Sequence, residues 1–124
     1  SILEHSQSPH ARREAAVVRE EAHTWMARVE AARLLVLRTA WRYDCGDSSV
    51  GEASMVKVFS SSLAAKLAGW LMRQFPLHAT RTGHPLAKFC RDARGFDIIE
   101  GTGDMQRLNL ARALTTLRFE TRRV

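Results

Sequence analysis

The stretch VREEAHTWMARVEAARLLVLRTAWRY, residues 18–43, decides the fold. Its residues Val18, Ala22, Trp25, Val29, Ala32, Val36, Ala40 and Tyr43 recur at steps of three and four, which sets them on one stripe of an α-helix. No Gly or Pro interrupts the chain between Pro9 and Gly46. Ser8 and Pro9 form an N-cap and first-position pair, and Cys45-Gly46-Asp47 supplies the stop. A helix of that extent is roughly 50 Å long at the standard rise. A small domain needs less, so part of this helix is expected to pack on another chain or on a further domain.

Working outward, the turn Gly46-Asp47-Ser48-Ser49 leads into a second helical stripe through Val56, Phe59, Leu63, Leu67 and Trp70. Ser60, Ser61, Ser62, Ala64, Ala65 and Ala68 give that helix small faces, which allow another helix close approach. Gln74-Phe75-Pro76 ends it, because proline lacks the backbone donor and its ring clashes with the preceding turn. Leu77 to Gly83 has no clean period and reads as a loop, and a short helix covers Pro85 to Arg94. Gly95 to Gly103 reads as extended or irregular. A last helix then starts at Thr102, Gly103 or Asp104, carries Met105, Leu108, Leu110, Leu114 and Leu117, and frays into Thr121-Arg122-Arg123. With no convincing strand, the expectation is an all-α fold: residues 1–124 as one up-and-down, four-helix bundle domain.

The 124 residues are 45% hydrophobic and 26% charged, enough for a core and too apolar for intrinsic disorder. No apolar run approaches the length of a membrane span. The chain opens at Ser1 with neither Met nor an export leader and so reads as an excised segment. Cys45 and Cys90 form no paired motif, which makes a reducing cytoplasm the expected location. The net charge of +6 raises the question of a polyanionic partner. The arginines, however, are spread over every helix and read as solvated faces, so no nucleic-acid surface is expected.

Near the C-terminus the chain reads Arg91-Asp92-Ala93-Arg94, then Ile98-Ile99-Glu100-Gly101-Thr102, then Met105-Gln106-Arg107, and Ala111-Arg112. Together with Glu30-Ala31-Ala32-Arg33-Leu34-Leu35 and the Gly46 turn upstream, the order and spacing of these short motifs resembles, over about Val18 to Phe119, the C-terminal all-helical domain of acyl-CoA dehydrogenases. That resemblance implies an FAD enzyme that oxidises an acyl-CoA thioester to the trans-2-enoyl-CoA. It further implies a homo-oligomer, a dimer or tetramer, that passes electrons to an electron-transfer flavoprotein or a similar acceptor. By the same resemblance Glu100 is the base that removes the α-proton, Gly101 lets the backbone approach the substrate, and Thr102, Gly103 and Asp104 fall where the family touches flavin. Ile98 and Ile99 give Glu100 a context that favours desolvation and a stronger base.

The chain departs from the family pattern at Pro76-Leu77, where a Gly-Gly pair that approaches the cofactor diphosphate is usual, and near His5 to Pro9, where an R-x-x-F-G contact is usual. Those departures keep a second reading open, a non-catalytic helical oligomerisation module without flavin. Glu20-x-x-His23 has the spacing of one half of a di-iron ligand set, but no second copy occurs, so no metal is expected. Arg91 and Asp92 read as a structural ion pair, and Trp25, Trp41 and Trp70 as core or interface anchors.

Overall fold

A computed structural model describes residues 9–47 and 50–121, with side chains to residue 115. Ser8, Ser48, Ser49, the side chain of Leu117 and the end beyond Thr121 therefore lie outside the described residues. Five helices follow one another, α1 (Pro9–Asp44), α2 (Val50–Gln74), α3 (Pro76–Thr80), α4 (Pro85–Gly95) and α5 (Gly103–Thr121), and no strand occurs among the described residues. The fold is the all-α, up-and-down arrangement expected from the periodicity.

α1 closes with Gly46 at φ 75°. Its N–H donates to the Tyr43 carbonyl at 2.9 Å, and the Asp47 N–H donates to the Arg42 carbonyl at 2.9 Å. This pair of bonds is the Schellman motif, which uses glycine because the left-handed region costs it nothing. The Arg42 guanidinium then spans the turn, holding Asp47 at 2.8 Å and Glu52 of α2 at 2.9 Å. The Asp47 hydrogen bond raises the Arg42 pKa above its ordinary value. At the other end of the pair, the buried Trp70 indole donates to Glu21 at 2.7 Å and sits 6.2 Å from the Trp25 ring. These two contacts fix α1 antiparallel to α2.

α2 is the hub. α1, α3, α4 and α5 all pack on it, and the only other packed pair among the described residues is α3 with α4. Its buried positions include Gly51, Ser54, Ser61 and Ala68, small side chains that let backbones come close. Ala68 joins Ala79, Cys90 and Ala93 in a core cluster flanked by Ala64, Leu86 and Phe89. The Cys90 thiol reaches the Ala68 carbonyl at 3.8 Å. His84 caps α4 by accepting from the Leu86 N–H at 3.1 Å, with Pro85 as the first helical residue.

Four expectations need correction. Leu77 to Gly83 is not all loop: Pro76 ends α2 but also begins α3, since its fixed φ is preorganised for a first helical position. The inward row of α1 is Ala32, Leu35, Thr39 and Arg42, while Val36 and Tyr43 are exposed at the rim of an open groove. In α5, Met105, Leu108 and Leu114 face outward, and Gln106, Asn109, Leu110 and Ala113 are the partly buried set. Asp92 pairs with Lys88, one turn back, and not with Arg91, because neighbours in sequence do not face each other on a helix. Trp25 and Trp70 are anchors as expected, whereas Trp41 is 65% exposed.

Ala93 is 0% exposed at the point where α4 meets α2. Ala93→Leu is therefore expected to lower stability by about 1–3 kcal/mol through overpacking, read as a lower midpoint in chemical denaturation.

Candidate functional site

Between α4 and α5 the chain makes a succession of turns over residues 96–100. The Gly95 carbonyl accepts from both the Ile98 and Ile99 N–H groups, at 2.9 and 3.0 Å. On the far side Thr102 is the N-cap of α5: its hydroxyl accepts from the Met105 N–H at 3.4 Å, and its carbonyl accepts the first helical bond from Gln106 at 3.0 Å. Thr102 is thus the capping residue among the three that the sequence left open.

Glu100 stands between these two ends at φ 57°, the only non-glycine residue with positive φ among the described residues. A side chain in this region costs roughly 1–2 kcal/mol, and such strain persists only where the surroundings over-determine it. Gly101 follows at φ 100°. A Cβ there would lie 2.7 Å from the Gln106 amide nitrogen, which is occupied in donating to the Glu100 carbonyl at 3.3 Å. Glycine at 101 is thus required twice, by conformation and by space.

Two side chains of α2 pin the start of the loop. Lys57 donates to the Phe96 carbonyl, and the buried Ser61 donates to the Asp97 carboxylate at 3.1 Å. Asp97 in turn lies against α5. Its carbonyl accepts from the Gly103 N–H at 3.1 Å, and a Cβ on Gly103 would come within 2.6 Å of its carboxylate. One short segment is therefore tied to α2 and to the first turn of α5 at once.

Of the residues singled out in sequence, Glu100, Gly101 and Thr102 lie together on the exposed side of this loop. Asp104 is also exposed and pairs with Arg107 at 2.8 Å. Gly103 is buried against Asp97. Ile98 and Ile99 are 69% and 55% exposed. Within this chain they do not shield the Glu100 carboxylate, which corrects the expectation of desolvation by its sequence neighbours. Lys57, Ser61, Asp97 and Gln106 were not foreseen. The contacts of Lys57 and Ser61 with the loop join residues 39 and 36 apart in sequence, and no local pattern marks them.

His23 is exposed on α1, and no group of three or more potential metal ligands occurs among the described residues. No helix among them is long and apolar enough to cross a membrane.

The chain matches the family model of the acyl-CoA dehydrogenase C-terminal domain over residues 2–115. It is 34% identical over 87 residues to the cyclohexane-1-carbonyl-CoA dehydrogenase of Geobacter metallireducens, covering 70% of this chain and 23% of that protein. It is 36% identical over 88 residues to a probable acyl-CoA dehydrogenase, FadE25, of Mycobacterium tuberculosis, again covering 70% and 23%. The 3-(aryl)acrylate reductase of Clostridium sporogenes is 30% identical over 84 residues, covering 68% and 22%. The chain thus spans less than a quarter of the length of these relatives.

Removing the side chain of Glu100 relieves the strain of its positive φ. Glu100→Gly is expected to raise stability by up to about 1 kcal/mol, and Gly101→Ala to lower it by at least about 1 kcal/mol. Denaturant titration of both variants checks the pair.

Proposed function

Because the chain belongs to the acyl-CoA dehydrogenase family, we propose that it works as the C-terminal helical domain of a flavin-dependent enzyme that oxidises an acyl-CoA thioester to the trans-2-enoyl-CoA. Glu100 is the base in this reading. The observation that carries it is the strained, clamped backbone at Glu100, with φ 57°. A non-glycine residue held there at a cost, with its carboxylate exposed, is better suited to meeting a ligand than to supporting the fold.

The chemistry follows from the local arrangement. The Glu100 carboxylate takes the α-proton of the thioester, and the absence of a side chain at Gly101 lets the acyl group come close. As negative charge develops on the thioester oxygen, the Glu100 backbone N–H donates to it. The apolar side chains of Ile98 and Ile99 stand at the rim, where bound substrate or a neighbouring part of the protein would close over them and exclude water. FAD, when bound, supplies the acceptor for the β-hydride. Exposed Thr102 and Asp104, at the N-terminus of α5, would be the residues to meet a polar edge of the flavin. Pro76 and Leu77 do not fit a diphosphate contact of the Gly-Gly kind, since Pro76 offers no N–H and opens α3. The remaining flavin contacts, the oligomer partner and the electron acceptor belong to the whole protein.

That misfit favours a second reading, a helical assembly module that binds no flavin. Exposed Met26, Leu34, Leu37 and Trp41 on α1 suit it as well. The two readings part on colour and on bleaching. The purified protein containing this chain is expected to show flavin absorbance and to be bleached anaerobically by an acyl-CoA, with Glu100→Gln slowing the bleaching about 10²–10⁴-fold. A colourless protein that still forms oligomers would establish the module instead.

A further inference from the structure

The geometry points to Lys57 and Ser61 as positioning residues for Glu100, a pair on α2 that sets where the base stands without touching substrate. This rests on the reading of Glu100 as the base. The two residues lie one helical turn apart on the same face of α2, and each reaches a different group of the loop, the Phe96 carbonyl and the Asp97 carboxylate. Lys57 brings a full charge to a carbonyl, and Ser61 makes its contact from a buried position. Charge-assisted bonds of both kinds are stronger than ordinary ones.

The need for such a pair follows from the backbone. Glu100 and Gly101 take consecutive positive φ values, 57° and 100°, and a chain free to relax would rotate Glu100 back toward the common region and swing its carboxylate away. Rotation is resisted on the C-terminal side by Gln106 holding the Glu100 carbonyl and by the Thr102 cap. On the N-terminal side Lys57 and Ser61 are the side chains that tie the loop to another helix. Asp97 completes the path, since it accepts from Ser61 and from the Gly103 N–H through different oxygens. A shift of α2 relative to α5 is thus converted into a shift of the base.

The test uses the flavin-loaded protein that contains this chain and whichever of a panel of straight-chain, branched and cyclic acyl-CoAs bleaches it fastest. Lys57→Met and Ser61→Ala each remove one of the two donors, and Lys57→Arg restores a donor to Phe96. Positioning predicts a bleaching rate at saturation lowered about tenfold to a hundredfold in the first two variants, an essentially unchanged Kd for the acyl-CoA, recovery in Lys57→Arg, and faster amide hydrogen exchange across residues 96–101. Unchanged exchange and an unchanged bleaching rate in both breaking variants, while Glu100→Gln is inactive, would overturn the pair and leave the base reading intact. If none of the acyl-CoAs in the panel bleaches the parent protein, the base reading falls, and with it the catalytic part of the inference. Exchange across residues 96–101 still decides whether Lys57 and Ser61 hold the loop.

Discussion

The close packing of α2 with its neighbours is the constraint on which everything else depends. Four helices lean on this one rod, and they can do so because its buried positions include Gly51, Ser54, Ser61 and Ala68. Larger side chains there would push the backbones apart, and α4 would lose the alanine and cysteine cluster that seats it. The arrangement is economical in apolar bulk. Among the described residues no large side chain is fully buried, and the core is made of alanine, valine, one cysteine and Trp70.

That packing is transmitted to the site through polar contacts. α2 places Lys57 and Ser61 beneath the α4–α5 connection, and α5 contributes its first turn from the other side. Between them the loop has little freedom, which is how an unfavourable backbone conformation at Glu100 is maintained. Three levels of structure are linked in this way: small residues permit approach, approach allows the side chains of α2 to reach the loop, and the loop fixes one carboxylate.

Periodicity and punctuation carried much of the fold in advance. α1, α2 and α4 begin and end close to the Pro and Gly signals that mark them, and α5 begins at Gly103, because such signals act through local sterics. The inward faces were read less well. The stripe of α1 was placed one residue away from the observed row over its second half, and of the α5 stripe Leu110 is partly buried while Met105, Leu108 and Leu114 point outward. Both helices are rich in apolar residues on more than one face, so period alone does not select the buried one. α3 was missed because Pro76 acts both as a stop and as a start. At the site, Glu100, Gly101 and Thr102 were legible through their motif, and the positive φ of Glu100 was not. That conformation depends on contacts with Gln106, Lys57 and Ser61, two of which come from another helix.

The central claim is that Glu100 is held in a strained backbone so that its carboxylate meets the α-carbon of a thioester. A crystal structure of the flavin-loaded protein with a non-reactive thioether analogue of an acyl-CoA measures this directly. The account predicts positive φ at Glu100 and a carboxylate oxygen about 3–3.5 Å from the carbon that would lose its proton. A relaxed Glu100 with negative φ, or a carboxylate directed into bulk water while the analogue lies elsewhere, would contradict it.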